Sequence, residues 1–124
     1  MTVNTVMIVE DTPDSAAVLE YVFGLEQVTV ITAADGETAL AHLGELVPDL
    51  ILIDLRLPDI NGWTLAQTIL ENPAIQQVPL IAMTAYDTPG LERKALEAGF
   101  WAYLAKPIRP ETILNVLSTV ANAN

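Results

Sequence analysis

The run Leu50-Ile51-Leu52-Ile53-Asp54-Leu55-Arg56-Leu57-Pro58-Asp59-Ile60-Asn61-Gly62 constrains the fold more than any other stretch of this chain. Four consecutive apolar residues predict a strand covered on both faces, as in parallel sheets, where no side of the strand meets water. The strand stops at Asp54, and Pro58 and Gly62 mark the loop that follows. A carboxylate at the carboxyl end of a buried parallel strand stands on the edge where open α/β sheets bind ligands. Two more acids end the run Val6-Met7-Ile8-Val9-Glu10-Asp11, and Lys106 follows Tyr103-Leu104-Ala105 and precedes Pro107. Three acids and one lysine on one edge suit a divalent cation and a phosphoryl group.

Strand and helix signals alternate along the whole chain, without a repeat or linker. Strands are predicted at Val3–Val9, Val28–Ala33, Leu50–Asp54, Pro79–Thr84 and Phe100–Leu104. The first helix is expected over Asp14–Leu25, capped by Thr12 or Asp14, with Ala17, Val18, Tyr21, Val22 and Leu25 inward. Asp35-Gly36 opens a second helix with an apolar stripe of Ala39, Leu40, Leu43 and Val47. Gly62–Leu70 and Pro89–Ala98 read as the third and fourth helices. Pro110 to about Val120 is the fifth, with Ile113, Leu114, Leu117 and Val120 inward. Five βα units with short connections imply one α/β domain over residues 1–124, a parallel sheet with right-handed crossovers and helices on both faces.

Composition narrows the function. Five Lys and Arg against 16 Asp and Glu give a net charge of −11, a field that repels phosphate backbones and disfavours direct nucleic-acid binding. Absence of cysteine removes thiolate nucleophiles, disulfides and Cys-based zinc sites. Apolar stretches are broken well short of the roughly 18 residues a membrane span needs. Met1-Thr2-Val3-Asn4 carries no basic start of a signal peptide, so a cytoplasmic location is expected. General acidity explains most of the charges as solvated surface; it does not explain why three acids follow buried strands.

Five motifs in order, Val9-Glu10-Asp11, Asp54 with Pro58 and Gly62, Met83-Thr84-Ala85, Glu97-Ala98-Gly99 and Tyr103-Leu104-Ala105-Lys106-Pro107-Ile108, resemble the receiver domain of two-component response regulators. The resemblance covers nearly the whole chain. It implies a flavodoxin-like doubly wound sheet in the order 2-1-3-4-5, which sets the ends of strands 1 and 3 side by side. By length the chain is similar to stand-alone receivers of chemotaxis or phosphorelay type.

The resemblance also implies roles. Asp54 is the phosphoacceptor, taking a phosphoryl group from a sensor histidine kinase or a histidine phosphotransfer protein. Mg²⁺ is held by Asp11 and Asp54 directly, by Glu10 mainly through water, and by the main-chain carbonyl of Arg56. Lys106 pairs with the phosphoryl group, in a Lys-Pro bond that is typically cis in this family. Thr84 donates its hydroxyl to the new phosphate, and Tyr103 is the aromatic switch that follows it. An unknown downstream protein then reads the changed surface, and the chain itself is a monomer or weak dimer. Taken singly, Asp54 could be a turn aspartate, Glu10 and Asp11 a helix-capping pair, and Thr84 an ordinary β-former.

Trp101 stands where many receivers carry a small or acidic residue, and exposed it would enrich a partner surface shared with Tyr103. Thr12 replaces an acid often found after the metal pair. Arg56 and Tyr86, two residues past Asp54 and Thr84, occupy positions that tune water access in the family. His42, the only histidine, reads as a surface helix residue. Three other functions compete with this reading. An aspartate-nucleophile phosphohydrolase commonly places a second acid where Arg56 stands, and a phosphorylation-independent interaction module would not need the full acid, Thr and Lys set. A nucleotide-binding module is disfavoured because no glycine-rich cradle follows the first strand.

Overall fold

Apolar strand segments separated by helix-length amphipathic ones leave a chain few ways to bury both, and this one takes the layered solution. The coordinates are a computed structural model that describes residues 3–122; Met1, Thr2, Ala123 and Asn124 of the expected unit lie outside the described residues. The elements run β1 (Thr5–Val9), α1 (Pro13–Leu25), β2 (Thr29–Ala33), α2 (Gly36–Leu43), β3 (Leu50–Asp54), α3 (Gly62–Leu70), β4 (Leu80–Thr84), α4 (Leu91–Glu97), β5 (Ala102–Ala105) and α5 (Pro110–Ala121). The strands pair in parallel in the order β2-β1-β3-β4-β5, as expected.

Alternate residues of each strand feed two cores, because successive side chains leave a strand on opposite faces. Met7, Val9, Ile51, Ile53, Leu80 and Ala82 pack against α2, α3 and α4. Val6, Ile8, Leu50, Leu52, Ile81 and Met83 pack against α1 and α5. All five residues of β3 and of β4 are buried, the pattern of strands covered on both sides.

Three expected faces are corrected. In α1 the buried residues are Leu19, Val22 and Phe23, while Val18, Tyr21 and Leu25 are exposed, as is Ala17. This helix is apolar around most of its circumference, so periodicity fits two stripes, and the wholly apolar Leu19 and Phe23 take the core while Tyr21 keeps its hydroxyl in water. Val47 lies beyond the end of α2, which stops at Leu43 with Gly44 as C-cap, and it is exposed. In α5 Val116 takes the inner place expected of Leu114, which is exposed. Several boundaries also move: β1 begins at Thr5 rather than Val3, α4 begins at Leu91 because Gly90 adopts a left-handed φ of 84°, and β5 begins after the buried Phe100 and the exposed Trp101, while α1, β2 and β4 shift their starts by one residue.

Candidate functional site

Register decides which side chains meet. Val9 pairs with Ile53, Asp54 with Met83, and Thr84 with Ala105, so the carboxyl ends of four strands finish level. Glu10, Asp54, Thr84 and Lys106 are therefore each delivered to one edge. Backbone bonds hold these ends: the Glu10 amide donates to the Ala33 carbonyl at 2.9 Å, Leu55 to Met83 at 2.9 Å and Lys106 to Thr84 at 2.8 Å.

Carboxylate oxygens of Glu10, Asp11 and Asp54 lie within 4.8 Å of one another. Asp54 is 6% exposed and Glu10 3%, whereas Asp11 faces solvent. Hard oxygen donors on a solvent-open cluster fit Mg²⁺, which keeps several waters and needs only two or three protein oxygens. The Lys106 ammonium donates to Asp54 Oδ2 at 2.7 Å and also to Glu10 Oε1. Asp54 Oδ1 accepts the Arg56 amide at 2.8 Å, and Glu10 Oε2 accepts the Thr12 amide at 3.3 Å. No buried side-chain polar atom among the described residues is left without a partner.

Burial pushes the Glu10 carboxyl up to about 7, and the Asp54 carboxylate beside it adds to the rise against the opposing pull of Lys106. Burial alone would lower the Lys106 ammonium, but Asp54 and Glu10 more than reverse this and hold it above the usual lysine range. The Lys106–Pro107 bond is cis, in keeping with the resemblance.

Thr84, 3% exposed, ends β4, and its hydroxyl oxygen accepts the Tyr86 amide at 3.0 Å. The Tyr103 hydroxyl donates to Asp87 at 2.6 Å; burial first, and then Asp87, push it up to about 12. The Arg56 guanidinium lies 4.2 Å from the centroid of the Tyr86 ring, a cation–π stack that joins the two positions expected to govern water access. Trp101 is 40% exposed. Thr12 occupies the N-cap of α1, yet its side chain makes no capping bond, and Asp14 lies inside the helix; Pro13 at the first turn removes one amide that would need a partner. His42 lies in the last turn of α2, the end remote from the cleft.

Residues that sequence reasoning passed over make further long-range contacts. Asp59 accepts the Gly36 and Glu37 amides at 2.9 and 2.8 Å, and these backbone bonds, Gly36 first, hold its carboxyl below the usual range. Trp63 packs edge-to-face on Phe100, ring centroids 5.8 Å apart, with the Lys94 ammonium 5.0 Å from the indole centroid. Asp87 and Asp59 meet partners 16 and 22 to 23 residues away, which no local pattern announces.

A family profile described as response regulator receiver domain matches residues 6–118. The chain is 34% identical over 103 residues to the response regulator PleD of Caulobacter vibrioides, covering 83% of this chain but only 23% of that protein's length. It is 31% identical over 121 residues to the polar-differentiation response regulator DivK of Brucella anthropi, covering 97% of this chain and 98% of that one. The receiver domain of a sensor histidine kinase from Pseudomonas aeruginosa, with a magnesium ion coordinated in its active site cleft, superposes with a TM-score of 0.87 at 30% identity, over 98% of this chain and 100% of that one. No described helix is long and apolar enough to cross a membrane.

Proposed function

The chain belongs to the response regulator receiver domain family, and from that premise we propose that it is a phosphorylation-controlled switch whose acceptor is Asp54. The observation that carries this reading is the Glu10, Asp11, Asp54 and Lys106 cluster at the level ends of β1, β3 and β5. In the transfer step an Asp54 carboxylate oxygen attacks the phosphorus of a phosphohistidine. A P–O bond forms, the P–N bond breaks, and the imidazole nitrogen leaves with the electron pair. Lys106, already on Asp54, swings its charge onto a phosphoryl oxygen. Asp11, Asp54 and the Arg56 carbonyl, with Glu10 through water, would hold a Mg²⁺ ion, which would supply charge neutralisation for the transferring group.

Thr84 then turns its hydroxyl from the Tyr86 amide toward the phosphoryl oxygens. Tyr103, which reaches the same loop through Asp87, follows and alters the surface formed by α4, β5 and α5. Trp101 is the anchor a downstream protein would grip, since an exposed indole buries much area with few rotors. Val18, Leu19, Ala85, Pro107 and Ile108 wall a cleft beside Lys106 that suits an approaching kinase or phosphotransfer domain. We read residues 1–124 as one such receiver unit, acting in the cytoplasm as a monomer or weak dimer, with binding rather than turnover as its output.

Incubation with acetyl phosphate and Mg²⁺ followed by intact-mass measurement tests this. One phosphoryl addition is expected for the wild type and none for Asp54→Asn. Phosphate mapped to Thr84 or His42 overturns the assignment.

A further inference from the structure

The loop from Leu55 to Asn61 leaves the sheet directly after Asp54 and rejoins the fold at Gly62. Its base is closed, because the Gly62 amide donates to the Leu55 carbonyl at 3.1 Å. Gly62 sits so close that a Cβ there would stand 2.5 Å from the Asp54 carbonyl oxygen and 2.7 Å from Leu55 Cα. Only glycine permits that approach. Near the base, the Arg56 amide is held by Asp54 Oδ1 at 2.8 Å.

The far end of the loop is pinned to a different element. Both oxygens of Asp59 take backbone amides from the first turn of α2, Gly36 at 2.9 Å and Glu37 at 2.8 Å, while the helix's own cap, Asp35, takes Thr38 at 2.7 Å. Two carboxylates thus satisfy three N–H groups that a helix start leaves unpaired, and one of the two belongs to the loop. Ile60 lies over Gly36, where a Cβ would meet Ile60 Cγ1 at 2.3 Å. Asp35 takes only the Thr38 amide, so the same two Asp59 bonds that complete the start of α2 also fix the loop to it.

We propose that Asp59 is a positioning residue of the acidic cleft: by clamping the loop to α2 it presets the Arg56 main-chain carbonyl for the divalent cation. This rests on the reading of the cleft as a Mg²⁺ site. A loop tied at base and apex has little freedom left between them, so Arg56 need not be ordered when the cation arrives. Ordering withheld until binding weakens affinity, because its entropy is then lost in the binding step. The clamp touches neither the cation nor the three acids.

Mg²⁺ titration by calorimetry at pH 8 tests the role on wild type, Asp59→Ala, Asp59→Asn and Gly36→Ala, with thermal melts of each metal-free protein alongside. Asp59→Ala is expected to raise the Mg²⁺ Kd by about 10-fold, the low end of the scale for an outer-shell partner. Asp59→Asn, which keeps one acceptor oxygen, should fall between. Gly36→Ala, which dislodges Ile60 from the same clamp, should also weaken binding, and its effect should not multiply with that of Asp59→Ala. A lowered melting temperature with Mg²⁺ Kd unchanged in both Asp59 variants makes the clamp merely structural and overturns the proposal. A wild-type chain that binds no Mg²⁺ overturns the reading of the cleft itself, and this role with it.

Discussion

The Tyr103 hydroxyl donates to the Asp87 carboxylate across 2.6 Å, tying β5 to the loop that begins at Thr84. Tyr86 of the same loop gives its amide to the Thr84 hydroxyl, so two hydrogen bonds, joined through the Tyr86–Asp87 backbone, lie between the cleft edge and the β5 surface. A change in what Thr84 bonds is expected to reach Tyr103 through these two links.

Replacing Asp87 by Asn should bring the Tyr103 pKa down from about 12, because it removes the nearest carboxylate that opposes ionisation and leaves only burial and the Glu92 charge to raise it. NMR titration of the tyrosine Cζ resonances reads this, with Tyr103→Phe identifying the signal. If the high-pKa resonance survives in Asp87→Asn, the pair does not govern that side chain.

Glu10 fixes a pH dependence with a definite sign. In the fold it titrates near about 7 against an ordinary 4.5, so between those values the folded chain holds a proton that the unfolded chain has released. The Glu10 contribution to metal-free stability should be full below about pH 4.5 and be lost as pH rises through about 7, by up to roughly 3 kcal/mol, one pKa unit being worth about 1.4. Saturating Mg²⁺ should reverse the slope, since only ionised Glu10 can serve the cation. Urea midpoints from pH 5 to 8 measure both. Glu10→Gln should flatten the metal-free decline, and an unchanged decline in that variant removes Glu10 as its cause.

Lys106 bonds two of the three acids that would hold the cation. Lys106→Ala should destabilise the metal-free domain by roughly 2 kcal/mol, less than the about 3–5 of a fully buried pair because its side chain is 15% exposed. The same change should tighten Mg²⁺ binding at pH 8 by a few-fold, since a competing cation has gone. Acetyl phosphate should still label Asp54, with the surface response lost. Weaker Mg²⁺ binding in Lys106→Ala would falsify the competition.

Trp101→Ala should leave Asp54 labelling by acetyl phosphate at the wild-type rate while weakening self-association of the phosphorylated domain. Sedimentation equilibrium with and without acetyl phosphate separates the two effects. A slowed labelling rate with association intact would move Trp101 from the partner surface to the support of the cleft.

Much of this was legible in the residues. The unbroken apolar runs of β3 and β4 required burial on both faces, and Glu10, Asp54, Thr84 and Lys106 each stood where such a run ends. The inner face of α1 was not legible, because Val18 and Tyr21 satisfy helical spacing as well as Leu19 and Phe23 do; packing against β1 and α5 chose between them. The partners of Asp59 and Asp87 were invisible for a related reason. Each is an exposed acid in a turn, where its type is already explained, and its second role exists only because another loop or helix comes within 3 Å.

The chain's pattern by itself determined the alternation of strands and helices and the residues that cap each strand, since burial and period are local properties of composition along the chain. Tertiary structure decided what those residues became. Parallel register levelled the strand ends, Lys106 came to bridge Glu10 and Asp54, and the desolvation that pushes Glu10 up to about 7 arose only once β1 lay between β2 and β3. Proton affinity and loop anchoring depend on neighbours distant in sequence, and the distance is closed only by folding.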